Sequence, residues 1–488
     1  MLNQSSAEEV EEIVFQNMGA FYNRNLSEFK GFEENLGINP WFLEHFRMHF
    51  KLRNHRLKTK GRDLVGKHKN INENSGLLRE MLYIIQSGRV LFQSNLRNIL
   101  LVNSRFVTDD GVFRFNSKEA QCWTIVMNRE IFSVMKDGFH KQWSNHLNTD
   151  AILFQYIKSF RWILDGPMFF WKFRLLLKKL SKKSKIDDWI FSELKGAVFS
   201  FCLYWFRFKS MELFFRRVEC ENILMWDENS PQQKVIQYAA KGRGIVVGAI
   251  QHGSIYKHHP AYAYTYYDVA PVLPDFTFVW GSHFRDILMK FNGYPPESIV
   301  ITGKVKERSA TADSNRVGGY WLFASQPLRN GSLRERVLYD VCKAATMGFE
   351  IIIRPHPIEK FDDYFNEISA RAGLNNIRIE REIPLLQHLS ECKGLIVTSS
   401  TVGFEFLEFN KPMIVMDYLE QDLMQWIQND LGIKVTKLDE LISAMSSDQY
   451  GLSDNRKAVI ESLFFRNDDK ALSRIMQHFK LHGRSVAV

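Results

Sequence analysis

Several signatures that would settle a function at once are missing from these 488 residues. The five cysteines (Cys122, Cys202, Cys220, Cys342 and Cys392) are scattered and form no CxxC pair. That excludes a zinc knuckle and a disulfide framework, and it fits a reducing compartment. No GxxxxGK[ST] and no strand-linked GxGxxG occurs, which sets aside P-loop hydrolysis and dinucleotide oxidoreduction. No GxSxG nucleophile elbow occurs either. The most apolar run, Gly196 to Phe206, is well short of the roughly 20 residues a spanning helix needs. The first residues, with Glu8 and Glu9, are acidic where a secretion signal is basic, so a cytoplasmic location is expected. No nucleic-acid motif accompanies the basic charge, and no nucleic-acid partner is expected. There is no HExxH or other metal-ligand spacing, so no metal is assigned.

What is present describes a folded chain of more than one domain: 45% apolar, 24% charged, with 39 phenylalanines and a net charge of +9. A basic surface favours anionic lipid or phosphorylated substrates. Residues 1–110 read as a helical, basic N-terminal region, with Val10, Ile13, Val14, Met18 and Phe21 at helical spacing. From Phe154 to Phe215 aromatics alternate with bases: Trp162, Phe169 and Trp171 among Lys172, Arg174 and Lys178. Helices of this kind can lie in a bilayer interface, giving peripheral contact with the inner face of the cell membrane. Core helices with a basic outer side have the same pattern.

Short β-branched runs then alternate with helical stretches, which indicates βαβ units and parallel sheets. One set runs from Asn222-Ile223-Leu224-Met225 to Ile299-Val300-Ile301, and a second from Tyr320-Trp321-Leu322-Phe323-Ala324 to Met413-Ile414-Val415-Met416. The polar stretch Lys304 to Gly319 reads as the linker between them. The expected fold is α/β, with two facing Rossmann-like domains at 111–305 and 306–436, the N-terminal helical extension, and C-terminal helices at 437–488.

Chemistry-bearing residues collect at the ends of these runs, where open α/β sheets bind ligands. Arg354-Pro355-His356-Pro357 follows Ile351-Ile352-Ile353, and the prolines stiffen the turn. Arg354 and His356 suit a diphosphate, or His356 simply packs in a strand–helix turn. Ser399, Ser400 and Thr401 follow Leu395-Ile396-Val397 and open a helix, either as an anion site or as ordinary caps. Glu405 in that helix is placed to reach a ribose hydroxyl, or to complement the helix dipole. In the first set Gln251-His252-Gly253 ends a strand, and His252 suits a general base. Asp227 and Glu228 end the preceding strand, as alternative bases or as a polar turn before the Pro231 helix.

With these elements in order, the stretch from Asn222 to Asp417 resembles bacterial GT-B glycosyltransferases of surface-polysaccharide assembly. It is most similar to capsule polysialyltransferases, CMP-Kdo transferases and CDP-glycerol glycerophosphotransferases. The matching pieces are Gln251-His252-Gly253, Val279-Trp280-Gly281, Ile301-Thr302-Gly303, Arg354-Pro355-His356-Pro357, and Ser399 to Glu405 with Lys411-Pro412. The resemblance implies that His356 and the Ser399–Thr401 cluster hold the donor phosphate, with Glu405 near the nucleoside and Gly303 and Lys304 in the donor-binding set. It implies His252 as base in the manner of the glycerophosphotransferases, or Asp227 and Glu228 in the manner of the polysialyltransferases. It further implies a nucleotide-sugar donor as substrate, no separate cofactor, and a lipid-linked glycan acceptor in capsule or lipopolysaccharide synthesis. A sugar-nucleotide 2-epimerase-like hydrolase and a non-catalytic membrane scaffold are the alternatives.

Overall fold

The computed structural model describes residues 7–59, 99–102, 123–126, 146–148 and, with short gaps, 156–482. The chain forms two compact units. The larger holds Glu11–Arg53, Asn70–Arg308 and Phe465–Val488; the smaller holds Met1–Val10, Asn54–Lys69 and Ser309–Phe464. Most of the Lys304 to Gly319 linker lies outside the described residues.

Most of α1 (Ala7–Arg24), all of α2 (Leu26–Leu36) and most of α3 (Pro40–Thr59) belong to the larger unit. Its sheet comprises β1 (Ile99–Val102), β2 (Trp123–Val126), β3 (His146–Asn148), β4 (Asn222–Met225), β5 (Val246–Ile250), β6 (Phe276–Val279) and β7 (Ile299–Ile301). All pairs are parallel, in the order β3-β2-β1-β4-β5-β6-β7. The order reverses between β1 and β4, and ligand crevices form at such a switch. β1 lies within the stretch that reads as helical, because four apolar residues in a row do not by themselves distinguish strand from helix.

Between β3 and β4 come α4 (Trp162–Lys179), α5 (Lys185–Gly196) and α6 (Val198–Arg217); α7 (Pro231–Lys241) follows β4 and α8 (Ser282–Phe291) follows β6. The N-terminal helices pack into this layer as part of the core. Trp205 of α6 donates its indole N–H to the Leu36 carbonyl at 3.0 Å, and Phe32 of α2 sits edge-on to Phe169 and Phe173 of α4. α2 ends at Gly37 with φ of 80°, where an added Cβ would lie 2.5 Å from the Phe208 ring. Arg24 pairs with Asp187 at 2.8 Å, and Asp187 closes a capping box with Ser184 at the start of α5.

The smaller unit carries β8 (Trp321–Ala324), β9 (Ile351–Arg354), β10 (Arg378–Ile379), β11 (Gly394–Val397), β12 (Met413–Met416) and β13 (Ile433–Val435), in the order β10-β9-β8-β11-β12-β13. These pairs are parallel too. The connections are α9 (Gly331–Thr346), α10 (Asp362–Arg371), α11 (Leu385–Glu391), the five-residue α12 (Val402–Phe406) and α13 (Leu438–Ser446); α14 (Asp454–Leu463) follows. Its core joins Trp321, Phe323, Ile353 and Ile396 of the strands to Val337, Val341 and Leu441 of the helices. Here the switch falls between β8 and β11.

The last helix, α15 (Ala471–His482), belongs to the larger unit. Phe479 packs at 5.5 Å from Phe278, and Gly248 is bare because a Cβ there would meet both rings at 2.6 Å. The segment read as one C-terminal region from 437 is therefore divided: α13 covers the second sheet and α15 the first. The class is α/β with two parallel Rossmann-like sheets and an N-terminal set of helices, as the alternation of strand and helix implies.

Candidate functional site

The second switch point has a built crevice. Gln326 stands two residues past β8, and its Oε1 accepts three hydrogen bonds from the end of β11: Thr398 Oγ1 at 2.7 Å, Ser399 Oγ at 2.9 Å and Ser399 N–H at 3.1 Å. A backbone N–H can only donate, so that atom must be the amide oxygen. Both hydroxyls donate to it as well. The two N–H donors of the Gln326 amide are then the part left for another group. Gln326 lines a small crevice with Ser325, Thr398, Arg334 of α9 and Tyr364 of α10, together with the apolar Phe323, Leu328, Val337, Leu338 and Phe365. The Arg334 guanidinium lies 4.1 Å from the centre of the Tyr364 ring, and its Nε is buried without a hydrogen-bond partner. Fixed N–H donors beside a guanidinium make this wall complementary to an anion.

Neither Gln326 nor Arg334 was among the residues picked from the sequence. The available signal was Ser325-Gln326-Pro327 at the end of an apolar run, the same pattern as Arg354-Pro355-His356-Pro357. Ser399 holds Gln326 in place without itself lining the crevice. Ser400 is buried and its Oγ accepts from Val402 N–H at 3.4 Å, whereas Thr401 is exposed and makes no side-chain cap. The helix they open has five residues, too short for the dipole argument the sequence invites. Gly403 lets it pack: a Cβ would lie 2.4 Å from the fully buried Trp426 ring. Glu405 is half-buried on this helix.

Arg354, at the end of β9, donates to the Glu380 carbonyl of the β10 edge at 3.3 Å, and burial lowers its pKa. His356 is half-buried, and its N–H donates to Glu359 at 2.9 Å while its carbonyl accepts from Glu359 N–H at 2.8 Å. Glu359 thus closes the turn that presents the imidazole. Lys411 caps the end of α11, donating to the carbonyls of Ser390 and, at 2.8 Å, Cys392.

In the larger unit Gln251 fixes the turn after β5. It accepts from Trp280 N–H at 2.9 Å, its own carbonyl takes the Trp280 indole N–H at 3.0 Å, and its amide reaches the Gly253 carbonyl at 2.9 Å. His252 is half-buried on this braced turn, and the position of a Cβ on Gly253 is open space. Glu228 is only 1% exposed. Burial pushes the phenol of Tyr264 up, with the Glu228 carboxylate adding to it, and burial with Tyr264 and then Glu228 does the same at Tyr294. Lys234 of α7, also 1% exposed, lies 5.7 Å from the Tyr264 ring, and His45 of α3 stacks on that ring at 5.5 Å. An N-terminal helix therefore reaches the Tyr264 ring, whose phenol feels the buried carboxylate that the sequence offered as an alternative base. Asp227 lies outside the described residues.

Gly303 and Lys304 belong to this same unit, past β7. Gly303 has φ of 86°, and its Cβ position is 2.6 Å from the Phe465 carbonyl oxygen, so the returning chain accounts for the glycine. Lys304 lies 5.5 Å from the Trp280 ring. Among the described residues no three His, Cys, Asp or Glu side chains form a metal-ligand group.

No protein-family model and no curated protein matches the sequence. Among solved structures the chain is similar to UDP-GlcNAc 2-epimerase from Neisseria meningitidis bound to UDP-GlcNAc, with 10% identity, 79% of this chain and 99% of that one covered, and a TM-score of 0.48. For UDP-GlcNAc 2-epimerase from Methanocaldococcus jannaschii the values are 11%, 78%, 99% and 0.49. For the glycotransferase of kitacinnamycin they are 10%, 78%, 98% and 0.46. Likeness this slight leaves the fold resting on the two sheets and the function on the residues.

Proposed function

We propose that the smaller unit binds the phosphate of a nucleotide-activated sugar, and that the protein is a glycosyltransferase acting on a lipid-linked glycan in surface-polysaccharide synthesis. The observation that carries the reading is the fixed Gln326 amide beside the Arg334 guanidinium in the small crevice at the β8–β11 switch. His356, on its Glu359-closed turn, and Glu405 supply further contacts to the donor. In the transfer the acceptor oxygen forms a bond to the anomeric carbon as that carbon's bond to the leaving phosphate breaks. The acceptor proton passes to a base, assigned to His252, and fixed N–H groups and guanidinium charge stabilise the departing nucleotide. The donor would be CMP-, CDP-, UDP- or GDP-linked, and no separate cofactor enters the step.

Thermal unfolding with CMP, CDP, UDP, GDP and their sugars tests this. A matching nucleotide at about a hundred times its Kd stabilises by about 2.7 kcal/mol. Arg334→Ala should weaken that binding by roughly ten- to a hundredfold, the loss of one charge-assisted contact. If no nucleotide shifts the transition, the reading fails in favour of a non-catalytic scaffold. Rapid release of free sugar without acceptor would instead identify the epimerase-like hydrolase.

A further inference from the structure

One face of the larger unit is apolar, exposed and unused by either strand-end site. α4 turns Phe169, Phe173 and Leu176 inward, against α2 and α6. Its opposite side carries Leu164, Trp171 and Leu175, at 80%, 61% and 37% exposure. Spacings of seven and four residues place the three in one stripe along the helix. Ile163 borders it on the Phe170 side, and α6 widens it there with Phe199, 76% exposed, whose ring is 5.6 Å from Phe170 of α4. Soluble surfaces scatter such side chains singly; a contiguous set marks a contact surface.

The charges around the stripe say what kind. Between Trp162 and Lys185 there are seven bases and one acid, Asp165. On one flank Lys172 and Lys179 are held back by Asn35 at 3.3 Å and Glu28 at 3.5 Å. On the other, Arg174 and Lys178 are exposed and have no ion pair among the described residues. Two copies of so basic a face would repel each other across a twofold contact. An anionic partner would not. No helix among the described residues is long and apolar enough to cross a membrane. An amphipathic helix with a Trp-bearing apolar face and flanking bases lies instead in the plane of the bilayer interface.

We infer that the α4–α6 face docks on an anionic lipid bilayer, with Leu164, Trp171 and Phe199 in the interfacial layer and Arg174 and Lys178 on the headgroups. This rests on the surface alone and stands apart from the transferase reading. The test is co-sedimentation of the full chain with vesicles of phosphatidylcholine, with and without phosphatidylglycerol. The wild type should pellet with the anionic vesicles and lose affinity as salt rises. Leu164→Glu with Trp171→Glu should weaken this at least about tenfold by removing apolar insertion. Arg174→Glu with Lys178→Glu should also weaken it at least about tenfold and flatten the salt dependence. The second pair touches only exposed charges, so it decides the matter if the first pair does not fold. Wild-type protein left in the supernatant with anionic vesicles overturns the inference, as does undiminished binding by the charge-reversed pair. A solution dimer that Trp171→Glu converts to monomer does the same, because the occupant is then a second copy of the chain.

Discussion

Two glycines of the larger unit look alike in the sequence and differ in what surrounds them. Gly303 adopts a left-handed conformation with the Phe465 carbonyl against its Cα, so Gly303→Ala adds both backbone strain and a clash. A loss of more than about 1 kcal/mol is expected in urea unfolding. Gly253 meets nothing within 4 Å of a Cβ. Gly253→Ala should leave stability within about 0.5 kcal/mol of wild type. If acceptor approaches the backbone beside His252, the same change should lower turnover. Histidines give a second prediction at this scale. His388 is buried, its Nδ1 is 3.0 Å from the Tyr320 hydroxyl, and its pKa is lowered by desolvation first and by the Arg354 charge second. The fold thus favours neutral imidazole. That contribution is complete above the unfolded value of about 6.5 and is lost as pH falls toward the lower folded value. The urea midpoint should therefore drop between about pH 7.5 and about pH 5.5, and His388→Gln should shrink the drop.

Among the elements, the central strands were legible because each is a short β-branched run between breakers, as at Ile351-Ile352-Ile353 and Leu395-Ile396-Val397. β1 was not, since its four apolar residues follow a long stretch of helical periodicity. The strand-end turns were legible as places but not in their wiring. Ser399 was visible as a hydroxyl at a strand end; that its proton is committed to Gln326 depends on β8 lying beside β11, which no local pattern states. The burial of Glu228 was equally hidden, because no local pattern around Asp227-Glu228-Asn229 states that the residue is 1% exposed. α15 was read as a helix, yet its place on the first sheet depends on contacts such as Phe479 with Phe278. Arg474 anchors it, donating to the Thr302 carbonyl at 2.7 Å and to Asp468 at 2.8 Å. Arg474→Ala strands that buried carbonyl and should cost about 1–3 kcal/mol. Hydrogen exchange should quicken in α15 while the core strands of the second sheet keep their protection.

Taken whole, the molecule has two hydrophobic cores of different make. In the larger unit rings dominate: Phe21, Tyr22, Phe29 and Trp41 from the N-terminal helices join Phe169, Phe201 and Trp205 of the inserted layer, all buried. The smaller unit encloses its own core from Trp321 to Met445 around a six-stranded sheet. Units with separate cores unfold as separate cooperative steps unless something couples them. Calorimetry of the full chain should accordingly resolve two transitions, and a nucleotide bound at Gln326 and Arg334 stabilises only the unit that holds them. At about a hundred times its Kd it should add about 2.7 kcal/mol to one transition and leave the other in place. Gly403→Ala supplies the assignment, since a methyl against the buried Trp426 ring should lower the smaller unit's transition by about 1–3 kcal/mol. If the transition lowered by Gly403→Ala is not the one raised by nucleotide, the ligand binds elsewhere and the crevice at the β8–β11 switch is not the donor site.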